Sequence, residues 1–256
     1  MADRLKQGRQ LKTVTATFDV LSEIEQANGI TLAELADTHE SSKSTIYNHL
    51  KTLEQLGYVV QEQGEYYLGL GFISFGMQAL DRLDLPNMVE PEATELVEET
   101  GGRCVIMVEE NGRGICVYQQ TSDEAVITNK NSGDEINFHC TALGKAYLSA
   151  LPPKRRREFI QEKELIPMNE NTIIDEDELF RELKNTRSRG YSINDEERVL
   201  GMRAVGAPII TKDEELLGAI SVSLPVTRMK GERFEHEIPE LVQKAASVIA
   251  VKKSYE

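Results

Sequence analysis

The sequence predicts an α+β protein with two domains, and three observations lead to this fold class. Its length of 256 residues is enough for two domains of ordinary size. Apolar residues three and four positions apart, which are typical of helices, dominate the first 57 residues, and a strand-like pattern follows. Beyond residue 84, short apolar strands are grouped between helical segments, which favours an antiparallel sheet with flanking helices.

Two helices joined by a tight turn are predicted between Thr31 and Gly57. Thr31 is the expected N-cap of the first helix, whose apolar residues are Leu32, Ala33, Leu35 and Ala36. After a turn at residues 38–41, Ser42 or Ser41 caps the second helix, which is expected to end at Gly57. The spacing places its buried stripe at Ile46, Leu50, Leu53 and Leu56.

The opposite face of the second helix carries short polar side chains, one aromatic ring and two cations. Its members are Lys43, Ser44, Thr45, Tyr47, Asn48 and Lys51. In a helix-turn-helix, the first turns of the second helix contact base edges and phosphates. Hydroxyl and ammonium groups suit phosphates, and an asparagine can pair with adenine. We therefore predict that these six residues contact DNA.

A β-hairpin is predicted directly after this helix. Tyr58–Val60 and Glu65–Gly69 have the composition of strands, and residues 61–64 form the turn between them. A helix pair alone is common in protein cores. A helix pair with a polar second helix and a following hairpin is much more specific, and it predicts a winged helix-turn-helix.

These stretches resemble the DNA-binding domain of IclR-type transcriptional regulators. The similar segments are Leu32–Ala36, Lys43–Tyr47, Leu53–Val59 and Tyr67–Gly69. The family often has an arginine where this chain has Asn48. That departure implies a different base preference and the loss of a strong phosphate or guanine contact.

The charge of the chain is unusual for a protein that binds DNA, because the formal net charge is −14. Residues 1–70 hold six Lys and Arg against ten Asp and Glu. Cations at Arg4, Lys6, Arg9 and Lys12 predict a basic arm that reaches phosphates. Adaptation to high salt is an alternative cause of the acidity. The excess of Glu over Asp and the retained lysines weaken this alternative.

A short apolar helix over Phe72–Leu80 follows the hairpin and is interpreted as a linker. It exposes too much apolar surface for a lone connector, so we expect it to pack on a second subunit. The predicted domains are residues 11–70, which bind DNA, residues 71–84, which form the linker helix, and residues 85–256, which form the second domain.

Helices and strands alternate in groups through the second domain. Helices are predicted at Met88–Thr100, Thr141–Leu151, from Pro152 onward, at Asp175–Arg189 and at Phe234–Val251. Strands are predicted at Cys104–Val108, Ile115–Gln119, Ala125–Thr128, Tyr191–Asn194, Arg203–Thr211 and Leu216–Leu224.

The resemblance to IclR-type regulators continues through three ordered segments of this domain. They are Phe138–Ala146, Arg189–Pro208 and Ala219–Pro225. The resemblance implies a GAF-like effector-binding domain, a dimer through the DNA-binding half and often a tetramer. It also implies control of catabolic genes by a ligand and a palindrome-like operator.

A ligand pocket can be argued from residues in these segments. Thr141, Ala142 and Leu143 open a helix, whose free amides can hold a carboxylate. Ser221 and Ser223 alternate with apolar neighbours, so both hydroxyls point to one face of a strand. Asn194 and Asp195 lie at a strand end, where they can bond ligand hydroxyls.

The resemblance adds Thr128, Ile136, Met202 and Ala204 to the pocket wall. Members that bind small oxoacids often have a cysteine at the position of Ala204 and a carboxylate at that of Asn194. Both departures weigh against a glyoxylate-like ligand. We expect a sugar, a sugar acid or an aromatic acid, with sugar acids first because Asn194 and the serines favour several hydroxyls.

Other readings of the chain are less specific. His139, Cys140, Cys104 and Cys116 match no compact metal-ligand spacing, so no metal and no other cofactor is expected. An enzyme that uses His139, Cys140 and Asp195 is the alternative function, although no nucleophile motif accompanies them. The basic run Lys154–Arg157 and the acidic run Asp195–Glu197 are interpreted as solvated surface.

The start of the chain contains no apolar signal region, and no apolar run reaches about 18 residues. The sequence is therefore expected to remain in the cytoplasm.

Overall fold

The computed structural model describes residues 11–83, 85–123 and 132–254. The chain divides into two compact units, Met1–Arg82 and Leu83–Glu256. The division falls inside the segment that was predicted to be the linker. The basic arm at Arg4, Lys6 and Arg9, the strand Ala125–Thr128 and the pocket residue Thr128 lie outside the described residues.

The first unit combines helices with a small antiparallel sheet. Its elements are α1 (Lys12–Ala27), β1 (Ile30–Thr31), α2 (Leu32–Thr38), α3 (Lys43–Gln55), β2 (Val59–Glu62), β3 (Glu65–Leu68) and α4 (Gly71–Asp81). The strand order is β1-β3-β2. The hairpin turn consists of Gln63 and Gly64, both with positive φ, which suits the twist of a two-residue turn. The turn is therefore shorter than predicted, and β2 extends to Glu62.

One apolar cluster holds this unit together. Its buried members are Val20, Leu21, Ile24, Ile30, Leu35, Ile46, Leu50, Leu53, Val59 and Tyr66. The predicted stripe on α3 is correct at its first three positions and wrong at Leu56, which is 63% exposed. Leu56 is the C-cap residue of α3, so it lies beyond the last full turn and turns away from the cluster.

The second unit contains a larger sheet and the remaining helices. Its elements are α5 (Leu85–Thr100), β4 (Arg103–Glu110), β5 (Arg113–Thr121), β6 (Glu135–Ile136), α6 (Ala142–Ala150), α7 (Pro153–Gln161), α8 (Glu176–Arg189), β7 (Ser192–Asp195), β8 (Met202–Ile210), β9 (Leu216–Pro225), a π-helical turn (Arg233–Glu237) and α9 (Ile238–Lys253). The short strand β6 was not predicted, because two residues carry no periodic signal.

The sheet of the second unit has the order β6-β5-β4-β9-β8-β7, with antiparallel pairing throughout. Val105 and Met107 of β4 share an apolar cluster with Leu143 and Leu148 of α6. The alternate side chains of β4 point to the other face of the sheet. Helices α5 and α9 contact each other and strands of this sheet, so they cover that second face.

Candidate DNA-binding helix and effector cavity

The predicted DNA-contacting residues all lie on the outer face of α3. Ser42 is the N-cap, and its hydroxyl accepts a hydrogen bond of 3.3 Å from the amide of Thr45. Ile46, Leu50 and Leu53 fix the helix to the core through its inner face. The outer face therefore presents Lys43, Ser44, Thr45, Tyr47 and Asn48 as exposed residues and Lys51 as a partly exposed one.

Lys51 does not stand alone on this face. Its ammonium group donates to Glu54 over 2.6 Å, and this hydrogen bond raises the pKa of Lys51. The same group lies 5.9 Å from the centre of the Tyr47 ring. Glu54 was not among the predicted residues, and its carboxylate is the partner of this cation in the free protein.

The sheet of the second unit brings four strands together under one cavity. Asn194, Ala204, Ser223 and Arg103 are successive partners across β7, β8, β9 and β4. A second row lies two residues from the first along each strand. It consists of Ser192, Gly206, Ser221 and Val105. Side chains in both rows point to the same face, because positions two residues apart on a strand share a face.

The cavity above these rows has an empty volume of about 680 Å³, including its opening to solvent. Its walls contain most of the predicted effector-binding residues, namely Ile136, Thr141, Ala142, Leu143, Asn194, Met202, Ala204, Ser221 and Ser223. Sequence reasoning missed others that line it, including Arg103, Val105, Cys116, Arg198 and Val199. Its lining of apolar side chains with a few convergent polar groups is typical of sites for small organic ligands.

Among the predicted effector-binding residues that the structure describes, Asp195 is the one that does not line the cavity. Its carboxylate accepts two hydrogen bonds from Arg203, of 2.6 and 3.2 Å. Successive residues of a strand point to opposite faces, so Asp195 faces away from the side that Asn194 occupies. Arg203 also donates to the carbonyl of Met229 and stacks on Phe234, with 4.5 Å between guanidinium and ring centre.

Helix α6 begins at the cavity, and Thr141 is its N-cap. The Thr141 hydroxyl accepts from the amide of Gly144 and donates to the carbonyl of Asn137. Thr141 therefore shapes the start of the helix, and its hydroxyl is already engaged. The amides of Ala142 and Leu143 have no partner within the helix and lie at its positive end, which favours an anion.

The sheet holds this helix start in place through close polar contacts. The Asn194 side-chain nitrogen donates to the carbonyl of Cys140, and the Ser192 hydroxyl donates to that of Ala142 over 2.6 Å. A side chain at Gly206 would have its Cβ 2.8 Å from the Ala142 oxygen, so this approach needs glycine. Asn194 is consequently a positioning residue, and its carbonyl oxygen and second N–H remain for a ligand.

The two predicted strand serines keep their hydroxyls available. Ser221 is 6% exposed and lines the cavity, as does the less buried Ser223. Neither hydroxyl makes a hydrogen bond to any residue in the described ranges. Because neither hydroxyl has a protein partner and both residues line the cavity, both hydroxyls are available to donate to or accept from a polar ligand.

The alternative enzyme site is not assembled. His139 Nε2 lies 2.9 Å from the carbonyl of Ile166, and burial lowers the pKa of its ring. The Cys140 thiol is buried, which raises its pKa, and Asp195 is held by Arg203. Among the residues that the structure describes, no group of His, Cys, Asp and Glu side chains is arranged to hold a metal ion.

Two residues that were interpreted as solvated surface are buried. Arg156 donates hydrogen bonds of 2.8 Å to the carbonyls of Leu148, Ser149 and Leu151, at the end of α6. The carbonyls at a helix C-terminus lack helical partners, which explains why a cation is drawn in. Glu197 pairs with buried Lys145, and burial is the main cause that raises the pKa of Glu197.

None of the helices in the described ranges is both long enough and apolar enough to cross a membrane.

Comparison with known proteins gives consistent results over both units. Residues 13–63 match the IclR helix-turn-helix domain, and residues 77–251 match the bacterial transcriptional regulator IclR C-terminal domain. The chain is 34% identical over 248 residues to the probable HTH-type transcriptional regulator ArcR of Halobacterium salinarum, covering 95% of this chain and 94% of that protein. It is 29% identical to the transcriptional repressor IclR of Escherichia coli, covering 94% and 90%.

A solved structure shows the same fold. The IclR homologue of Microbacterium hydrocarbonoxydans, crystallised with 4-hydroxybenzoate, has a TM-score of 0.82 at 17% identity, covering 96% of this chain and all of that one. The chain belongs to the IclR family of DNA-binding transcriptional regulators, which are not enzymes, and has the family's helix-turn-helix and GAF-like C-terminal domain.

Proposed function

We propose that this protein is a ligand-responsive regulator of catabolic genes and that a sugar acid is its effector. Residues 11–70 bind the operator, residues 71–84 link the domains, and residues 85–256 bind the ligand. The observation that carries the proposal is the cavity, which is lined both by the first residues of α6 and by two serines of β9 whose hydroxyls are unengaged. We propose the cytoplasm as its location, because an operator is bound there.

The chemistry of this cavity suits an acid with several hydroxyl groups. The amides of Ala142 and Leu143 at the positive end of α6 attract a carboxylate. Ser221 and Ser223 can donate to or accept from ligand hydroxyls, and the Asn194 carbonyl can accept from them. Thr128 and Ile136 complete the proposed wall by resemblance to the family.

An aromatic acid is the second candidate ligand. It is supported by the 4-hydroxybenzoate bound to the Microbacterium hydrocarbonoxydans homologue and by the apolar part of the wall, which includes Val105, Ile136 and Met202. A neutral sugar is the third candidate. The name of the Escherichia coli relative, a repressor, favours repression over activation.

We further propose a homodimer or tetramer that reads a palindrome-like operator. A winged helix contacts few base pairs, and two-fold pairing doubles the contacts and matches two half-sites. Helix α4 exposes Ile73, Phe75 and Met77 by 58%, 61% and 54%, and α1 exposes Phe18 by 54%. Large apolar side chains exposed in this number favour an interface.

The test is calorimetry of the full-length protein with gluconate, glucose and 4-hydroxybenzoate. Ser221→Ala and Ser223→Ala are compared with wild type, and Ser188→Ala on α8 serves as a control away from the cavity. We expect the sugar acid to bind most tightly and both cavity variants to weaken it about tenfold, the loss of about one hydrogen bond to a charged or polar ligand. Unchanged binding in both variants would place the ligand elsewhere.

A further inference from the structure

The charges around the cavity differ from those of the whole chain. The formal net charge of the protein is −14, yet no Asp or Glu is among the described residues that line the cavity. Arg103, Arg198 and Arg203 are among them. Arg203 is paired with Asp195, and Arg103 and Arg198 bring two further guanidinium groups to the wall.

Arg198 has the properties of a ligand-binding cation. It lies in the loop between β7 and β8, is partly exposed, and borders the cavity beside Val199. In the described part of the chain it makes no hydrogen bond and no ion pair. An arginine offers a planar set of donors that matches a carboxylate or a phosphate, so this side chain is suited to bind one.

Arg103 brings a second positive charge to the same wall. It is 6% exposed, begins β4 beside Ser223, and donates to the side chain of Gln119. Burial lowers the pKa of Arg103, and the nearby charge of Arg198 lowers it further. An anion bound beside both guanidinium groups would relieve this repulsion.

We propose, as an extension of the proposed function, that the effector is a small organic acid with two anionic groups and that Arg198, with the help of Arg103, binds the second group. Such an acid is called a dianion below, although a phosphate as the second group carries up to one further charge at neutral pH. The first anionic group is the carboxylate that faces the start of α6. Helix α6 begins against strand β8, and Arg103 lies on strand β4. These two strands are two strand spacings apart, which is about 10 Å. The reach of the arginine side chains into the cavity shortens the distance that a ligand must span, so six-carbon acids are suitable probes.

The shared chemistry has two sources, a second carboxylate or a phosphate ester, and three six-carbon acids distinguish them. Gluconate has one carboxylate, glucarate has two, and 6-phosphogluconate has a carboxylate and a phosphate on the same skeleton. Calorimetry of the full-length protein measures the affinity for each. We expect at least one dianion to bind wild type about tenfold or more tightly than gluconate, because charge-assisted hydrogen bonds to arginine are strong.

Variants at Arg198 separate its charge from its shape. Arg198→Gln is expected to weaken the preferred dianion about tenfold and gluconate less than twofold, whereas Arg198→Lys retains part of the preference. Arg157→Gln, which removes an exposed arginine of α7 outside the cavity, is the control and should change neither affinity. A preference for glucarate identifies the second group as carboxylate, and a preference for 6-phosphogluconate identifies it as phosphate.

The inference is overturned if gluconate binds as tightly as both dianions, if neither dianion binds, or if Arg198→Gln weakens all three acids equally. If gluconate binds as tightly as both dianions and Ser221→Ala loses this binding, the inference of a second anionic group is overturned. The proposed function then stands, because the ligand still occupies the cavity. Binding of the acids that is unaffected by both Ser221→Ala and Arg198→Gln would contradict the cavity as the effector site and the dianion together.

Discussion

The ammonium group of Lys145 donates a hydrogen bond to the carboxylate of Glu197, and the two side chains are only 1% and 9% exposed. Lys145 lies in the helix that begins at the cavity, and Glu197 precedes Arg198 in the loop that borders it. Glu182 of α8 lies 3.9 Å from Lys145 and accepts a hydrogen bond of 2.7 Å from Arg189. This network fixes the loop to two helices of the second unit.

Lys145→Met should lower the free energy of unfolding by about 3–5 kcal/mol, because it leaves the charge of Glu197 buried without its partner. Chemical denaturation of the full-length protein at neutral pH measures the change. Lys154→Met is the matched control, since Lys154 is 91% exposed and its pair with Glu158 is long at 3.9 Å. It should change the free energy of unfolding by less than about 0.5 kcal/mol.

The loss in Lys145→Met should depend on pH. Burial already raises the pKa of Glu197, and removal of Lys145 takes away the charge that opposes this rise. A carboxyl group with a raised pKa in the folded state destabilises the protein above that pKa, and the penalty disappears as the proton binds at lower pH. The difference from wild type should therefore shrink as the pH falls through the raised pKa of Glu197. A difference that stays constant or grows with acid would contradict this assignment.

Asn48→Ala should relax the sequence preference of operator binding at one base position in each half-site. If the Asn48 side chain pairs bidentately with adenine, the loss is about 1–3 kcal/mol for the preferred sequence and close to zero for others. Fluorescence anisotropy with four operators, one for each base at that position, separates a loss limited to the preferred base from a loss on every sequence. An equal loss on all sequences would assign Asn48 to the phosphates.

Lys51→Ala should weaken binding to all DNA sequences similarly and reduce the salt slope by about one. The Lys51–Glu54 ion pair adds a prediction of the opposite sign. Glu54→Gln should strengthen binding at low salt, because it releases Lys51 for phosphate. Titrations of one operator at several salt concentrations measure both effects. Weaker binding by Glu54→Gln would show that Glu54 itself takes part in recognition.

Phe75→Asp should convert the protein to a smaller species, because it places a charge in the apolar face of α4 that we assign to subunit contact. Light scattering combined with size exclusion gives the mass in solution. Ile174→Asp changes a similarly exposed residue, 55% against 61%, outside α4 and should leave the mass unchanged. A wild-type monomer at working concentration and salt would remove the dimer from the account.

Local patterns predicted the elements of the fold well. The positions of Ser42, Ile46 and Leu50 follow from capping and from helical spacing, so the orientation of α3 could be read from the sequence. Ser221 and Ser223 share a face because strand alternation is a local property. The predicted burial of Leu56 was wrong, because burial at the last turn of a helix depends on the direction in which the following residues leave the helix.

Contacts between distant segments could not be predicted from periodicity. The pairing of Arg103 with Ser223 depends on the register of two strands that are far apart in the sequence. Lys145 and Glu197 are separated by 52 positions, and neither the burial of one nor the charge of the other is visible locally. The burial of Arg156 could not be predicted from its basic run, because it depends on the end of α6, which lies beside Arg156 in the fold.

The most direct test of the account is the affinity of the full-length protein for its operator, measured by fluorescence anisotropy with and without the acid that calorimetry selects. This acid should change the operator affinity of the wild-type protein by about 1–3 kcal/mol. Ser221→Ala should retain the affinity of the free protein for DNA and need about tenfold more acid for the same change. An equal response of wild type and Ser221→Ala at every acid concentration would contradict control of DNA binding from this cavity.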